Sequence, residues 1–549
     1  MSLKNHIIRV FGLLNERAEY AVLRNYEGLP ERNESRDIDI IITRRGFRSI
    51  KRELVDTLCQ EGWRIVTYLN SDRLITFVCA KNVGNETEIV QWDFFLDTSV
   101  WGVELMSAEE FVEHRVWNGF LYHVDIVGEF LDKYLYNRAV GAAYPAKYDS
   151  IRLQITDNSQ QDSLCSLVLS PTDDTDNTDL NSSFSSITRF ARDFVHTRHN
   201  PNKFGFCFAY YKIRSLAAQD LTPLKLLLLG NRRKLRCPRL FAIFARRIDT
   251  DFNAGKASAS SVASVRNDYY VRVSEKLNEV FGCGDLVVCD GLSGKRLFGR
   301  AVWWNLKRRP FGLIAGVCAF LWSFVRNYIC TNTGFAIGFT GPDGVGKTTV
   351  IEMLIGRLGG VFRTAHSYMH FRPMLFGNLG EVAHSAGLKR EVDRNYNDPH
   401  RGKKVGVLSS LVRLAYYSVD YIVGYWLKVK SQIRITRLVV FDRYYTDVIC
   451  DSRRSRIFLN YKFLYWFGRV FIPQLDYNIL LTAEVDTILA RKQELTREGI
   501  EAINERIDYL VGKKGYVKFL NDGTAEEMVT EILEWVFEEQ HKRNLKRLF

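Results

Sequence analysis

A glycine-rich run that begins at Gly341 has the residue types and spacing to hold the phosphates of a nucleotide. It reads GPDGVGKT up to Thr348 and fits GxxxxGK[ST] at every fixed position. The glycines would let backbone N–H groups turn towards phosphate oxygens, Lys347 would add a charge, and the Thr348 hydroxyl could bind Mg²⁺. The sequence therefore predicts ATP and Mg²⁺ as cofactors, bound by Gly341, Asp343, Gly344, Gly346, Lys347, Thr348 and Thr349.

An Asp-Arg pair follows about a hundred residues later, in the run RLVVFDRYYTD. Its apolar part is typical of a buried parallel strand, and Asp442 would lie at the carboxyl end of that strand. Ligands of open α/β sheets gather at this edge. Asp442 could orient an acceptor group there, and Arg443 could hold a phosphate through two parallel hydrogen bonds. Both residues are predicted to act in catalysis with Lys347 and to bind the substrate.

Further cations occur between and after these two motifs. Arg372, in HSYMHFRPMLFG, could clamp an acceptor phosphate or could be a surface arginine before a proline turn. Arg491, Lys492 and Arg497 lie where a mobile lid could close over a triphosphate and neutralise charge during transfer. The alternative for these three is a solvated helix face. We predict catalytic roles for Arg491 and Arg497 and substrate binding for Arg372.

Three carboxylates near the N-terminus form a second candidate site. Asp37 and Asp39 alternate along one predicted strand, so both side chains would point to the same face. Asp93, in the later run IVQWDFF, could join them. Three such groups can hold Mg²⁺ ions and activate a hydroxyl for nucleotidyl transfer. They are predicted metal ligands.

The elements that must position these residues alternate between strand and helix patterns. Strands are predicted at EYAVLRN, RDIDIIIT, RLITFVCA and ETEIVQWDFFLD, with a helix at GFRSIKRELVDTLCQEGW and helical spacing from Ser107 to Val140. The predicted fold is α/β, with a parallel sheet in the C-terminal part. The predicted organisation is an α/β domain at 1–150, a flexible linker or insertion rich in Asp, Asn, Ser and Thr at 151–186, a mostly helical basic region at 187–330 and a phosphate-loop domain at 331–549.

Composition limits the partners and the compartment. The net charge of +13 favours anionic partners, and we expect nucleotides and small acceptors but no nucleic acid. Ten cysteines without a CxxC pair argue against a structural zinc site and a disulfide framework, and favour a cytoplasmic location. The apolar segment at 311–325 is interpreted as a buried helix between domains. The alternative is a peripheral contact with a membrane interface.

The C-terminal motifs resemble those of the thymidylate kinase family, over about Gly334 to Phe549. The similarity rests on GPDGVGKTT with Asp343 at the acidic loop position, on Phe441-Asp442-Arg443-Tyr444 and on the lid-like Arg491–Arg497. It implies a five-stranded parallel sheet, ATP, Mg²⁺ and a homodimer, with Asp442 and Arg443 facing the acceptor. The chain departs from the family at Asp447, where a Ser is usual, and it has HFRP near the place of an Arg-Glu-Pro-Gly motif.

The N-terminal motifs resemble those of the polymerase-β-type nucleotidyltransferase superfamily, over about Tyr20 to Val140. The resemblance rests on the acidic pair and Asp93, and LRNYE stands where the superfamily has a Gly-Ser that cradles phosphates. It implies a nucleotidyltransferase-like domain, either active or a degenerate binding module.

The predicted function is an ATP- and Mg²⁺-dependent phosphotransferase, with a nucleoside monophosphate such as dTMP as the acceptor. One alternative is a kinase of a sugar or glycan hydroxyl in surface-polysaccharide biosynthesis. Another is an ATP-gated regulatory or scaffold protein that phosphorylates no small molecule.

Overall fold

The computed structural model describes residues 2–33, 35, 37–155, 268–327, 332–358, 366–375, 406–434, 436–492 and 495–549. The strands are β1 Tyr20–Val22, β2 Asp37–Ile42, β3 Arg64–Asn70, β4 Leu74–Val83, β5 Glu86–Phe95, β6 Asp97–Val100, β7 Val103–Ser107, β8 Val116–Trp117, β9 Tyr122–His123, β10 Phe335–Thr340, β11 Ser367–His370, β12 Leu438–Asp442, β13 Tyr477–Thr482 and β14 Tyr516–Leu520.

The α-helices up to the phosphate loop are α1 Ser2–Arg17, α2 Arg44–Leu58, α3 Ala108–Glu113, α4 Ile126–Val140, α5 Asp149–Ile155, α6 Asp268–Phe281, α7 Leu286–Asp290, α8 Gly294–Arg308 and α9 Pro310–Val325. Those after it are α10 Lys347–Leu358, α11 Val407–Gly424, α12 Lys430–Ile433, α13 Tyr445–Cys450, α14 Ser452–Ser455, α15 Tyr461–Phe471, α16 Val485–Arg491, α17 Arg497–Leu510 and α18 Ala525–Leu548, with a π-helical turn Tyr425–Val429 between α11 and α12.

The predicted α/β class is confirmed, and the chain divides into two compact units. The first contains Met1–Leu96, Trp117–His123 and Ala319–Phe549, and the second contains Asp97–Val116 and Val124–Cys318. Residues 156–267 lie outside the described residues, and they include most of the predicted linker and the first part of the predicted helical region. The predicted domain boundaries therefore stay predictions.

A five-stranded sheet in the first unit carries the phosphate-loop motif. Its order is β11-β12-β10-β13-β14, and all its pairs are parallel. The first strand in the sequence, β10, lies in the centre and is buried along its whole length. From β10 the chain proceeds first to one side of the sheet and later to the other, which opens a crevice at the carboxyl ends of the strands.

A seven-stranded mixed sheet of the same unit carries the acidic residues. Its order is β3-β4-β5-β2-β1-β9-β8. The predicted strands correspond to β1, β2, β4 and β5, and the predicted helix corresponds to α2. The strand β3 was not predicted, and the helix predicted before it, which extends to Trp63, is too long. Helix α2 instead ends at Leu58, with Cys59 as its C-cap, and Gly62 at φ +84° lies in the turn that leads into β3.

Helix α18 joins the two sheets of the first unit. It packs against α10 on one side and against β3 on the other. The Asn544 side chain donates hydrogen bonds to the carbonyl oxygens of Ile65 (3.0 Å) and Val66 (2.9 Å). Buried Val66, Val78 and Ala80 belong to the same apolar cluster as the core of the five-stranded sheet. The two sheets therefore share part of one hydrophobic core.

The second unit is mainly helical in its described part and has one short antiparallel hairpin, β6–β7. Helix α8 packs against α4 and α6. A disulfide joins Cys283 and Cys289, so the sequence-based argument against disulfides is wrong for this pair, whose spacing matches no common motif. The Arg138 guanidinium donates to the carbonyl oxygens of Cys289, Asp290 and Leu292 beside it.

Helix α9 differs from the sequence-based interpretation. The prediction of a buried helix is wrong, because Phe311 is 86% exposed and Trp322 is 67% exposed. Within the described part of the chain, no helix combines the length and the apolar character that crossing a bilayer requires.

Candidate functional site

The loop between β10 and α10 depends on glycines at three positions. Gly344 and Gly346 both have φ +91°, a conformation that side chains with a Cβ rarely adopt. A Cβ placed on Gly341 would lie 2.2 Å from the carbonyl oxygen of Leu481 on β13. Glycine is therefore required at these positions by backbone geometry, as a phosphate-binding loop demands.

Lys347 is buried inside this loop. Its Nζ donates hydrogen bonds to the carbonyl oxygens of Gly341 and Pro342, both at 2.8 Å. Burial, together with the nearby Arg443 charge, lowers the pKa of Lys347 to about 7, against the opposing effect of Asp343. Thr348 and Thr349 follow at the start of α10 and are exposed. An anion bound in this loop would favour the charged lysine.

Asp442 and Arg443 lie directly beside the loop. Phe339 on β10 is in register with Asp442 on β12, and the Arg443 N–H donates to the Phe339 carbonyl oxygen at 2.9 Å. Arg443 has φ +70°, which is strained for a residue with a side chain. The strain occurs at the point where the buried guanidinium turns towards the loop.

A largely buried ionic network connects the loop with the segment after β12. The Asp343 carboxylate accepts hydrogen bonds from the guanidinium groups of Arg443 and Arg454. Arg443 also donates to Asp447 at 2.9 Å. Burial opposes the charge on Arg443, but Asp447 and Asp343 raise its pKa above the usual range. The loop carboxylate and the Asp-Arg motif, a hundred residues apart, therefore form one electrostatic unit.

Two carboxylate oxygens at this site accept no hydrogen bond from any described residue. They are Asp442 Oδ1 and Asp447 Oδ2, and both residues are buried. The other oxygen of Asp442 accepts a hydrogen bond from the Tyr368 hydroxyl at 3.0 Å, and burial with Asp442 raises the pKa of Tyr368 to about 12. Burial also raises the pKa of Asp447, although Arg443 opposes this shift. Unpaired buried oxygens of this kind are suited to a metal ion or a donor group of a ligand.

Arg372 is turned towards a carboxylate of the chain itself. It donates to Asp420 on α11 at 2.9 Å, and its guanidinium lies 4.5 Å from the centre of the Tyr417 ring. Both charged side chains are buried. This geometry suits a structural ion pair, and the predicted contact of Arg372 with substrate stays a prediction.

The predicted lid cations lie in different surroundings. Lys492 follows α16, and a Cβ placed on Gly344 would lie 3.1 Å from the Lys492 Cβ. Arg491 donates to the Asn521 carbonyl oxygen at 3.0 Å. Arg497 pairs with Asp486, and both side chains are largely exposed. The structure thus brings the end of α16 to the phosphate loop and leaves Arg497 at the surface.

Sequence reasoning missed three residues of this site. Arg454 binds Asp343, Tyr368 binds Asp442, and Asn521 donates from its side chain to the Val345 carbonyl oxygen of the loop at 2.7 Å. Asn521 directly follows β14, so the rule that ligands collect at the carboxyl ends of strands could have identified it. No comparable signal marks Arg454, because its position depends on the short helix α14.

The three N-terminal carboxylates are brought together. Asp39 on β2 and Asp93 on β5 are directly opposite each other in a parallel pair, and Asp37 lies two residues earlier on the same strand. One ligand oxygen from each of the three lies within 4.8 Å of the others. Asp39 and Asp93 are buried, and Asp37 is half-buried. The predicted side-by-side arrangement is observed, and metal binding stays a prediction.

Partners of these carboxylates hold them in place. The Thr76 hydroxyl donates to Asp93 at 2.5 Å, and the Gln91 amide donates to its other oxygen at 2.8 Å. Arg24 pairs with Asp39 at 2.6 Å. Arg24 belongs to the LRNYE run that stands in place of the expected Gly-Ser, and it brings a cation to this cluster.

Comparison with known proteins gives a limited result. No protein-family model matches the chain, and no curated protein matches it. Among solved structures, the chain is similar to a thymidylate kinase from Ehrlichia chaffeensis at 15% sequence identity and a TM-score of 0.25. The match covers 37% of this chain and 98% of that protein. A similarity at this level does not establish a function.

Proposed function

We propose that the C-terminal part of the chain binds ATP with Mg²⁺ and transfers the γ-phosphoryl group to a small acceptor. The observation that carries this proposal is the ionic link between Asp343 in the loop and Arg443 at the end of the adjacent strand. This link joins the glycine-rich loop and the buried Asp442–Arg443 pair at the same crevice of the parallel sheet. Such a crevice is where α/β proteins bind their ligands.

The residues divide the work of transfer between them. Lys347 and the backbone N–H groups of the loop bind the β- and γ-phosphates, and Arg443 and Arg454 face the developing negative charge. Asp442 orients the acceptor through its unpaired oxygen. Mg²⁺, when bound, neutralises phosphate charge, and the exposed Thr348 hydroxyl and the nearby carboxylates are ligands of the type it prefers. Phosphoryl transfer requires mainly positioning and charge neutralisation, which these groups supply.

A nucleoside monophosphate is the acceptor that we favour, with dTMP as the specific choice. The buried Arg443 and the half-buried Arg454 converge on one loop carboxylate, and an acceptor phosphate could exchange with that carboxylate for their hydrogen bonds. The choice of dTMP rests on the resemblance of the loop and strand-end motifs to those of thymidylate kinases. Asp447 stands where those kinases usually have a Ser, and because of this difference we keep a sugar hydroxyl as the second choice of acceptor.

The test is transfer of label from γ-labelled ATP to a panel of nucleoside monophosphates, sugars and sugar phosphates. We expect transfer to a nucleoside monophosphate that is lost in Lys347→Ala and Asp442→Asn. Lys518→Ala, which removes an exposed cation of the same unit, is the matched control and should keep full activity. Transfer of label to a sugar alone would show that the acceptor is a sugar and not a nucleoside monophosphate. ATP hydrolysis without transfer to any acceptor would contradict the proposal and favour the regulatory protein.

A second activity is supported by the carboxylates of the seven-stranded sheet. Three oxygens within 4.8 Å of one another could hold Mg²⁺ for nucleotidyl transfer, and Arg24 could bind a triphosphate beside them. We therefore propose this cluster as a second nucleotide site. Incubation with α-labelled nucleoside triphosphates and the same acceptor panel tests it, with Asp93→Asn as the inactive variant. Labelling that persists in Asp93→Asn would contradict the assignment.

A further inference from the structure

Helix α9 exposes a continuous apolar strip. Phe311, Ile314, Cys318, Leu321, Trp322 and Val325 recur at helical spacing, and all six are exposed; we call them the outer face of α9. The opposite side carries Ser323 and Asn327, which are buried. Ser323 accepts a hydrogen bond from the Asp72 N–H at 3.1 Å, and Asn327 donates to the Asn70 carbonyl oxygen at 2.8 Å. The helix is therefore fixed by its polar side, and its apolar side is turned outward.

The charged residues of the sequence segment that contains α9 all have one sign. Between Gly291 and Asn327 the sequence contains seven Lys and Arg residues and no Asp or Glu. Three of the cations, Lys307, Arg308 and Arg309, immediately precede α9, and Arg326 immediately follows it. The charged groups of Lys307 and Arg308 lie 5.5 Å and 5.2 Å from the centre of the Trp304 ring. An apolar strip with cations at both ends complements an anionic, apolar surface.

Two of these cations have acidic partners, but those pairs are open to solvent. Arg308 lies 3.1 Å from Glu279, and Arg309 lies 3.1 Å from Glu104. The Arg309 side chain is 70% exposed in that pair. Exposed pairs of this kind contribute little free energy, so a dense anionic surface can compete for both arginines.

The length of α9 decides how it meets such a surface. Its sixteen residues span about 24 Å, which is shorter than the ~30 Å hydrocarbon core of a bilayer. We propose that α9 lies in the plane of an anionic lipid bilayer, with its outer face at the boundary between headgroups and acyl chains. Lys307, Arg308 and Arg309 contact the lipid phosphates, whereas Arg326 donates to the Asn70 carbonyl oxygen. Phe311 and Trp322, near opposite ends of the strip, have the aromatic character that is enriched at this depth.

A protein partner would fit these observations less well. Protein interfaces have polar rims that carry hydrogen-bonding groups around an apolar centre. The strip on α9 instead ends at cations on both sides, without an acidic residue over 37 positions of the sequence, Gly291 to Asn327. A lipid surface requires no specific polar rim and supplies the opposite charge.

The experiment is vesicle flotation of the full chain. Vesicles of phosphatidylcholine, with and without phosphatidylglycerol, are compared at low and at high ionic strength. We expect binding to the anionic vesicles that weakens as salt rises. The double variant Phe311→Ser/Trp322→Ser should lower the partition coefficient by about tenfold or more, because two large apolar side chains no longer enter the bilayer.

The matched control is Leu408→Ser/Val412→Ser on α11, which removes two apolar side chains that are 77% and 55% exposed. It should bind vesicles as the unaltered chain does. Both double variants should unfold at the same temperature, because the altered side chains are exposed. Equal binding of neutral and anionic vesicles by the unaltered chain would overturn the proposal. Unchanged vesicle binding by the Phe311→Ser/Trp322→Ser variant would also overturn it. If that variant binds vesicles as before but changes from an oligomer to a monomer, the outer face of α9 is a contact between copies of the chain.

Discussion

Arg357, on α10 behind the phosphate loop, donates a hydrogen bond to the Asn82 side chain on β4 at 3.1 Å. The same guanidinium donates to the hydroxyl groups of Thr87 (3.2 Å) and Thr530 (2.7 Å). One side chain thus joins helix α10 of the proposed ATP site, the β4–β5 hairpin and helix α18. Strand β5 of that hairpin carries Asp93. The two candidate sites are therefore connected through a few hydrogen bonds within one compact unit.

Replacement of Arg357 by Ala should lower the free energy of unfolding by about 1–3 kcal/mol, because several partly buried acceptors lose their donor. Chemical denaturation measures this change. Lys518→Ala, which breaks only an exposed pair, should alter stability by less than about 0.5 kcal/mol. If the Arg357→Ala chain is as stable as the control, the hydrogen bonds of Arg357 do not contribute to the free energy of unfolding.

The pair Arg372 and Asp420 gives a second stability prediction. Arg372→Ala leaves a buried carboxylate without its cation, which typically costs about 3–5 kcal/mol. Thermal and chemical unfolding should both detect the loss, and Arg372→Ala/Asp420→Asn should recover part of it. If Arg372→Ala leaves stability unchanged but raises the KM for the acceptor, the predicted substrate contact is the better explanation.

Asp447 tests the electrostatic unit round Arg443. Asp447→Asn removes the carboxylate that holds one end of the Arg443 guanidinium at 2.9 Å, so the guanidinium should lose its fixed direction. We expect kcat to fall by about 10- to 100-fold with little change in ATP affinity, because misplacement chiefly affects the transfer step. Steady-state kinetics with separate nucleotide-binding measurements distinguish the two effects. Asp508→Asn, at an exposed pair, is the control; a selective loss of ATP affinity in Asp447→Asn would contradict this role.

His6 predicts a pH dependence of stability. It is buried beside Trp63 and accepts a hydrogen bond from the Trp92 indole N–H at 3.2 Å. Burial is the main cause that lowers the pKa of His6 to about 3. The unfolded chain binds this proton below about pH 6.5, while the folded chain stays neutral until about pH 3. The contribution of His6 to the free energy of unfolding is therefore fully present above pH 6.5. It falls by up to about 1.4 kcal/mol for each unit that the pH decreases from 6.5 to about 3.

The measurement for His6 is the difference in unfolding free energy between the unaltered chain and His6→Gln from neutral to acid pH. The glutamine oxygen can still accept from Trp92 but does not titrate in this range. The two chains should diverge in pH dependence below pH 6.5, with the unaltered chain losing more stability. Parallel curves would show that another group is responsible for acid sensitivity.

The acidic cluster predicts metal binding without nucleotide. Titration with Mn²⁺, followed by the electron paramagnetic resonance signal of the free ion, should reveal at least one site that Asp39→Asn or Asp93→Asn weakens by tenfold or more, since each ligand carboxylate contributes charge. The exposed Asp486→Asn should leave binding unchanged. Identical titrations of all four proteins would exclude the cluster as a metal site.

The sequence predicted local features more successfully than features formed by distant segments. The phosphate loop, β12 and its terminal Asp442 were predicted because glycine spacing and an apolar run are local signals. The shared face of Asp37 and Asp39 was also predicted, because strand alternation fixes the face on which each carboxylate lies.

Other features depend on contacts that one stretch of sequence does not encode. Arg454 reaches Asp343 only because α13 and α14 turn the chain back towards the loop. The exposure of α9 could not be predicted from its composition, because an apolar run has the same pattern in a core as at a surface. The pairing of Arg372 with Asp420 requires two segments whose separation in the sequence is 48 residues.

The hydrogen bonds from Asn544 to β3 have a consequence for how this protein is made. Asn544 is 478 residues later in the chain than Val66, whose carbonyl oxygen it binds. At ribosomal rates of ~5–20 residues per second, roughly 25–100 seconds separate the synthesis of the two residues. During that interval β3 lacks the helix that later covers it, and its edge can pair with other chains. Chaperone demand should therefore be greatest before α18 leaves the ribosome.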